Sequence, residues 1–463
     1  MKILHVSTSD IRGGGACIAA YRLHSALHEA EIDSRMLVRT KASTDPFVLE
    51  VGADEVSFAD VTDSSGMASE IRPPKVQCRW AIWGNRLAVR GRGWLGAKLL
   101  QALGMKGCSL NILPTGLQKV LNASDADIIH FHWPHGEMIS IREIAKINKP
   151  LVWTLHDCWP FLGAEHHSSA DYWMFNHESH EKENIDGING FNVQRAKRFN
   201  PVSDVVNQYI FRLKQRAWKR LNVSFIAPSN WMAEQLRQSK LFTGASVTVI
   251  PNGLDLHVFQ PLDRVECRDK FRLPQDKKLL LFGANNPLDP NKGCDLLEQA
   301  LLAMTGRYGV ELVVFGAAGS RNIAGLKTHW MGVISSEKEM AALYNTADGI
   351  CVPSRKESFG QTASEALACG TPVLAFRTSG LMDIVDHKKN GYLAESFNIK
   401  SFSQGLKWIL DADVGAESAN RRSACRAKAE AKFSSYLASR KYASVYESIR
   451  VCARRDNFSK GDK

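Results

Sequence analysis

The sequence lacks the marks of a chain that enters or crosses a membrane. No stretch reaches the ~18 consecutive apolar residues that a spanning helix needs. The opening Met1-Lys2-Ile3-Leu4-His5-Val6-Ser7 carries one charge and a short apolar run, so no signal peptide is expected. A cytoplasmic protein is expected, at most peripheral at the inner face of the membrane. No Cys-x-x-Cys pair occurs; the ten cysteines are scattered singly, and reduced thiols are the expected state. The Asn-x-Ser triplets at Asn122 and Asn222 are then not expected to carry glycans. Internal repeats and low-complexity tracts are missing, and the glycine cluster Gly13-Gly14-Gly15 after the first strand is not the Gly-x-Gly-x-x-Gly fingerprint, so a nicotinamide cofactor is not implied.

What is present is a long chain with an ordinary core. Its 463 residues, 44% hydrophobic, suit two domains. Short runs rich in Val, Ile and Leu recur between helical patterns. The first series is Ile3–Val6, Met36–Val38, Ile128–Phe131, Leu151–Leu155, Phe225–Ala227 and Val247–Ile250. A second follows a polar stretch around Gln260–Gln275: Leu279–Phe282, Leu312–Phe315, Ile350–Val352 and Pro372–Phe376. Such runs read as buried parallel strands, and their alternation with helices gives an α/β chain with two doubly wound sheets. The expected organisation is 1–258 as a first domain, 277–425 as a second, and 426–455 as a helical segment crossing back to the first.

Net charge is +11, which favours an anionic partner. Between Ile71 and Lys106 there are eight Lys/Arg and no acid. There Trp80, Trp83, Leu87, Trp94 and Leu95 interleave with Arg79, Arg86, Arg90 and Arg92. Between Gln194 and Arg220 there are again eight basic residues against one acid, Asp204. Basic helices with aromatic apolar faces suit an anionic membrane surface. An ordinary solvated face over a core is the competing reading.

Five motifs sit where the loops after strands should gather. Gly13-Gly14-Gly15 follows the first strand and precedes a helical pattern, Cys17–Glu29. Glycines there let backbone N–H groups approach an anion, or simply make a tight turn. Thr154-Leu155-His156-Asp157 ends the strand Leu151–Leu155; an imidazole there can bond hydroxyls and shift protons near neutral pH, or be a satisfied loop histidine. Pro251-Asn252-Gly253-Leu254-Asp255 reads as a turn. Lys292-Gly293 places a lysine after Leu279–Phe282, able to pair with a diphosphate. The most specific signal is Glu357-Ser358-Phe359-Gly360-Gln361-Thr362-Ala363-Ser364-Glu365-Ala366. Glu357 lies on the loop after Ile350–Val352. Ser358, Phe359 and Gly360 are read as opening a helix that runs through Glu365, two turns on and within reach of a ribose. The helix start between the carboxylates offers N–H groups to phosphate.

Assembled, these residues resemble family 4 of the retaining glycosyltransferases over nearly the whole chain, continuing through Ala368–Pro372 and Lys389-Asn390-Gly391-Tyr392. Phe131-His132 and Val152–Pro160 resemble bacterial exopolysaccharide and colanic-acid-type transferases more closely. The resemblance implies the GT-B fold: two Rossmann-like parallel-sheet domains facing an interdomain cleft. It implies that Lys292 binds donor phosphates and that Glu357 contacts donor-sugar hydroxyls. Phe359 and Gly360 would lie near the phosphates, Ser358 would belong to the same donor site, Glu365 would hold the ribose, and His156 would sit by the donor sugar and the reacting centre. Gly14 and Gly15 would touch the phosphate or acceptor side. It implies no metal and no other cofactor, the nucleotide-sugar being a substrate. The sequence departs from the family at Gly283-Ala284-Asn285-Asn286-Pro287, where an arginine usual in the family is missing; the expectation is either weaker phosphate binding or its completion by another group such as Arg321 or Arg355. Where close relatives carry cysteines after the His-Asp pair, this chain has His166, His167, His177 and His180, with Cys158 alone.

The expected function is transfer of a hexosyl unit from a UDP- or GDP-sugar to a saccharide or lipid-linked acceptor, with retention. A GT-B-type nucleotide-sugar epimerase is the alternative enzyme, but no set of paired acids and base for it is identifiable. A basic nucleic-acid-binding protein is the alternative of another class. Charge permits it, but no nucleic-acid motif supports it, so no nucleic-acid partner is expected.

Overall fold

The computed structural model describes residues 1–51, 79–105, 107–167, 201–304, 309–411 and 415–461. The side chains of Trp80, Trp83, Arg79, Arg86 and Arg90, and the residues His177 and His180, lie outside what it describes. Two compact units are formed. One comprises 1–225, 235–246 and 445–463; the other comprises 226–234 and 247–444.

The first sheet has seven strands: β1 (Lys2–Ser9), β2 (Asp33–Thr40), β3 (Val48–Glu50), β4 (Ile128–Trp133), β5 (Leu151–Thr154), β6 (Val223–Ala227) and β7 (Val247–Val249). Their order is β3-β2-β1-β4-β5-β6-β7. The second has six: β8 (Lys278–Gly283), β9 (Val310–Phe315), β10 (Thr328–Trp330), β11 (Gly349–Val352), β12 (Val373–Phe376) and β13 (Gly391–Ala394), ordered β10-β9-β8-β11-β12-β13. Every run read as a strand lies on one. The edge strands β3, β10 and β13 are additional, three or four residues long and too short to show a period.

The second sheet shows how a parallel strand divides its side chains. Leu279 and Leu281 enter one hydrophobic cluster, Leu280 and Phe282 the other, one on each face. In the first sheet the faces differ in chemistry. Val6, Phe131 and Trp153 face an apolar side, with the Phe131 and Trp153 rings 5.2 Å apart. His5 and His130 are register partners on the opposite side, and His132 follows two residues along β4.

In each sheet the chain winds outward from one strand and returns beside it. The reversal falls between β1 and β4 in the first sheet and between β8 and β11 in the second. Ligand crevices of open α/β sheets lie beyond the strand C-termini at such reversals. The loops carrying Gly14, His156, Lys292 and Glu357 all leave strands at or next to these points.

Candidate functional site

In the C-terminal unit the loops after β8 and β11 are laced together by one residue. Asn291 Nδ2 donates to the Lys356 carbonyl (2.8 Å), Asn291 Oδ1 accepts from the Lys356 N–H (3.1 Å), and the Asn291 carbonyl accepts from the Arg355 N–H (2.8 Å). Gly293 sits at φ 69°, and a Cβ there would stand 2.1 Å from the Pro353 carbonyl oxygen. Only glycine permits so close an approach in that conformation. The lacing brings Lys292 Nζ to 2.7 Å from Glu357 Oε1, with the two side chains 27% and 17% exposed. Burial pulls the Lys292 ammonium down, but Glu357 outweighs it and leaves the group above the ordinary lysine value. Both residues line a pocket with Gly283, Ser354 and Thr362.

The helix beside this pocket is Gln361–Ala368. Ser358, Phe359 and Gly360 precede it rather than forming its first turn. Gly360 is the cap, at φ 110°, where a helix cannot continue. The Gly360 carbonyl accepts from the Ala363 and Ser364 N–H groups (3.0 and 3.1 Å), and Thr362, in the first turn, lines the pocket. Phe359 is buried against Phe433, ring centroids 5.6 Å apart, so its backbone alone is available to a ligand. Glu365 is 8% exposed and accepts from Tyr344 Oη at 2.8 Å. Arg321 and Arg355 are each engaged by an acid: Arg321 by Glu298 (2.9 Å), and Arg355 by both oxygens of Asp295 (3.0 and 2.7 Å). Neither lines the pocket, where Lys292 is the one cation.

In the N-terminal unit, Gly14 (φ 83°) precedes the helix Gly15–Glu29 at the end of β1, with no side-chain cap. The polar face of the sheet is a stack of imidazoles. His5 Nδ1 meets His132 Nε2 at 2.9 Å, and His132 Nδ1 meets His156 Nε2 at 3.1 Å. His130 is held by Tyr446 Oη (2.7 Å) and Thr154 Oγ1 (2.8 Å). Burial, reinforced by neighbouring imidazoles, keeps His5, His130 and His132 well below the usual histidine range. His156 is partly buried and lowered to about 4, chiefly by desolvation.

A second cluster is centred on Asp157. Its Oδ2 accepts from Trp133 Nε1 (2.8 Å), His135 Nε2 (3.1 Å) and His166 Nδ1 (2.5 Å), while Oδ1 accepts from the Trp159 N–H (3.0 Å). Burial alone would raise this carboxyl; His135 and His166 hold it well below the ordinary value. Each of two trios, His5/His130/His132 and His135/Asp157/His166, has ligand atoms mutually within 4.8 Å, the spacing a metal ion would need. Hydrogen bonds among the trios and their neighbours already account for most of these atoms. Lys214, in the second basic segment, does not belong to a solvated face. Its Nζ is buried 3.5 Å over the Trp159 ring and donates to the carbonyls of Trp159, Leu162 (3.0 Å) and Gly163 (2.7 Å), anchoring the loop that follows Asp157.

The structure thus brings Lys292 to Glu357 and sets Glu365 further along the adjoining helix. Sequence reasoning missed Asn291, Tyr344 and the imidazoles behind His156. The alternation His130-Phe131-His132 on a buried strand was the available signal.

Residues 263–432 match the family model described as Glycosyl transferases group 1, and residues 103–258 that described as Glycosyltransferase Family 4. The D-inositol 3-phosphate glycosyltransferase of Xylanimonas cellulosilytica is 34% identical over 201 residues, 38% of this chain and 47% of that protein. The enzyme of the same name from Mycolicibacterium smegmatis is 31% identical over 197 residues, 40% of this chain and 44% of that one. The chain thus spans about half the length of the curated relatives it matches. Among solved structures, the sucrose-phosphate synthase of Thermosynechococcus elongatus superposes with TM-score 0.63 at 16% identity, covering 98% of this chain and 100% of that one. Anabaena HepE in complex with UDP-glucose gives TM-score 0.59 at 16% identity, with 97% and 100% covered. The fold is GT-B, and both halves of the chain match glycosyltransferase families.

Proposed function

We propose that the chain is a retaining hexosyltransferase that moves a sugar from a UDP- or GDP-sugar onto a saccharide acceptor in bacterial polysaccharide assembly. One observation carries the reading. Lys292 and Glu357 meet at 2.7 Å in a pocket at the β8/β11 reversal, beside a helix N-terminus. A diphosphate entering there takes Lys292 from Glu357, and the positive end of the helix Gln361–Ala368, whose Thr362 lines the pocket, attracts its oxygens. The freed Glu357 then accepts hydrogen bonds from hydroxyls of the transferred sugar. Glu365, held by Tyr344, takes the ribose hydroxyls.

The acceptor hydroxyl attacks the anomeric carbon on the face the diphosphate is leaving. The carbon–oxygen bond to phosphate breaks ahead of the new bond, through an oxocarbenium-like state. The acceptor proton passes to the departing phosphate oxygen. Lys292 and the helix N-terminus stabilise the negative charge that develops there, without a divalent metal. The acceptor is assigned to the N-terminal unit, where the neutral His156 and the Gly14–Gly15 loop meet its polar groups.

A solved structure of the same fold supports the donor class: Anabaena HepE was captured with UDP-glucose and with UDP and glucose. The inositol-phosphate relatives and the net charge of +11 favour an acceptor bearing phosphate, free or lipid-linked. The helix Arg79–Ala102 exposes Trp94 (64%), Leu95 and Leu99 next to Lys98, a face suited to an anionic bilayer. Among the described residues no helix is long and apolar enough to cross a membrane.

The test is a thermal-shift screen across nucleoside diphosphates, followed by transfer assays with the corresponding sugars in the presence of EDTA. Stabilisation by UDP or GDP and a product of retained anomeric configuration by NMR are expected. An inverted product, or turnover unaffected by Glu357→Ala, refutes the assignment.

A further inference from the structure

We infer that His132 and His5 are positioning residues that fix His156 as the Nδ1–H tautomer, so that it presents a hydrogen-bond donor to its ligand. Three imidazoles form a line: His156 Nε2 to His132 Nδ1 at 3.1 Å, and His132 Nε2 to His5 Nδ1 at 2.9 Å. Each contact needs one proton, and each neutral ring carries one. Only two arrangements satisfy both conditions. In the first, His5 donates from Nδ1 to His132, His132 donates from Nδ1 to His156, and His156 keeps its proton on Nδ1. In the second every proton sits on Nε2, and His156 turns a bare Nδ1 outward.

The far end of the line decides between them. His5 Nε2 is buried without a hydrogen-bond partner. The second arrangement strands an N–H there; the first leaves only a bare lone pair. Orphaned buried N–H groups are the rarer and costlier defect, so the first prevails. His156 Nδ1, the other end of the line, has no partner among the described residues, and the residue is partly exposed. The edge it offers is therefore N–H. Free histidine prefers the opposite tautomer, so the preference is imposed by the two buried rings.

The consequence for the proposed transferase, on which this last step rests, is that His156 acts by donating to an oxygen of sugar or phosphate. It cannot take an acceptor's proton at Nδ1 unless the protons of all three rings move together.

The tautomer is read by long-range proton–nitrogen correlation NMR on protein with 15N-labelled histidine, the His156 signals being assigned by their loss in His156→Gln. Wild type near neutral pH is expected to show a protonated Nδ1 and a bare Nε2. His132→Phe should shift His156 towards Nε2–H, and kcat/KM should fall at least about tenfold. His132→Asn, whose amide N–H reaches where Nδ1 was, should restore both. A wild-type His156 that is Nε2-protonated or doubly protonated overturns the inference. So does a folded His132→Phe variant whose His156 spectrum is unchanged. Should His132→Phe not fold, the wild-type and His132→Asn spectra decide. A protein inactive on every sugar donor but showing the expected spectra would defeat the transferase reading and leave the tautomer assignment standing.

Discussion

Lowering the pH from 7 to about 5.5 should loosen the N-terminal unit selectively. Five of its imidazoles, His5, His130, His132, His135 and His156, lie far below the ordinary histidine value of 6.5, with His135 and His156 lowered to about 4. The folded unit therefore leaves them neutral in this window, while the unfolded chain protonates them. The unfolded state binds more protons, so stability falls as pH falls. The contribution is full above about pH 7, declines as pH drops through 6.5, and levels off only below the folded values. Each imidazole loses about 1.2 kcal/mol over this interval, and five lose about 6 kcal/mol, comparable to the whole stability of many domains. Asp157 adds nothing here: its depressed value makes stability that is lost only as pH falls below the ordinary carboxylate range. Glu137, raised by burial, opposes the trend slightly. Hydrogen–deuterium exchange, corrected for intrinsic rates, measures the effect. Protection in β1 and β4 should drop at least about a hundredfold relative to β8 and β11, whose unit has no fully buried histidine among the described residues. A drop under tenfold, or an equal loss in both units, refutes the neutral-imidazole reading.

Other perturbations separate the parts of the candidate site. Glu357→Gln should tighten UDP or GDP, measured by calorimetry, by roughly fivefold, because Lys292 no longer has a competing carboxylate; a partly exposed pair of this kind is worth about 1 kcal/mol. The same variant should lose most sugar transfer. Gly293→Ala forces a Cβ to 2.1 Å from the Pro353 carbonyl, in a backbone conformation that disfavours it. It should cost the C-terminal unit about 2 kcal/mol or more by urea titration, and weaken diphosphate binding through the displaced Lys292. Lys214→Met leaves three carbonyls without their donor and should lower the stability of the N-terminal unit by about 3 kcal/mol, read as a fall in its melting temperature.

Sequence and structure agree where one strong local pattern decides the outcome. The strands were legible because a buried parallel strand must be apolar on both faces. The strand–loop–helix context of Glu357 was legible because glycine and acid fall at fixed offsets. The helix start was misplaced by three residues. Ser358 and Phe359 have no local feature that forbids a helix; only Gly360, at φ 110°, stops it, and its packing against Leu381 is a contact from further along the chain. Asn291 was invisible for the same reason. Its importance lies in three hydrogen bonds to residues more than sixty positions away. Arg321 and Arg355 looked like free cations in sequence, and the fold gives each of them an acid.

The imidazole stack raises a question of economy that bears on function. Placing polar rings on the inner face of a parallel sheet sacrifices apolar burial and demands partners for every nitrogen. Valine or isoleucine at positions 5, 130 and 132 would fill the same face at lower cost. The fold instead meets the demand almost completely, with Thr154 and Tyr446 supplied to His130 and His156 closing the line from His132. A line of rings bonded at every nitrogen but its two ends, one buried at His5 and one partly exposed at His156, has a direction. Stability alone gives no reason for such a direction. Presenting one proton, at one atom, to whatever enters beside His156 does.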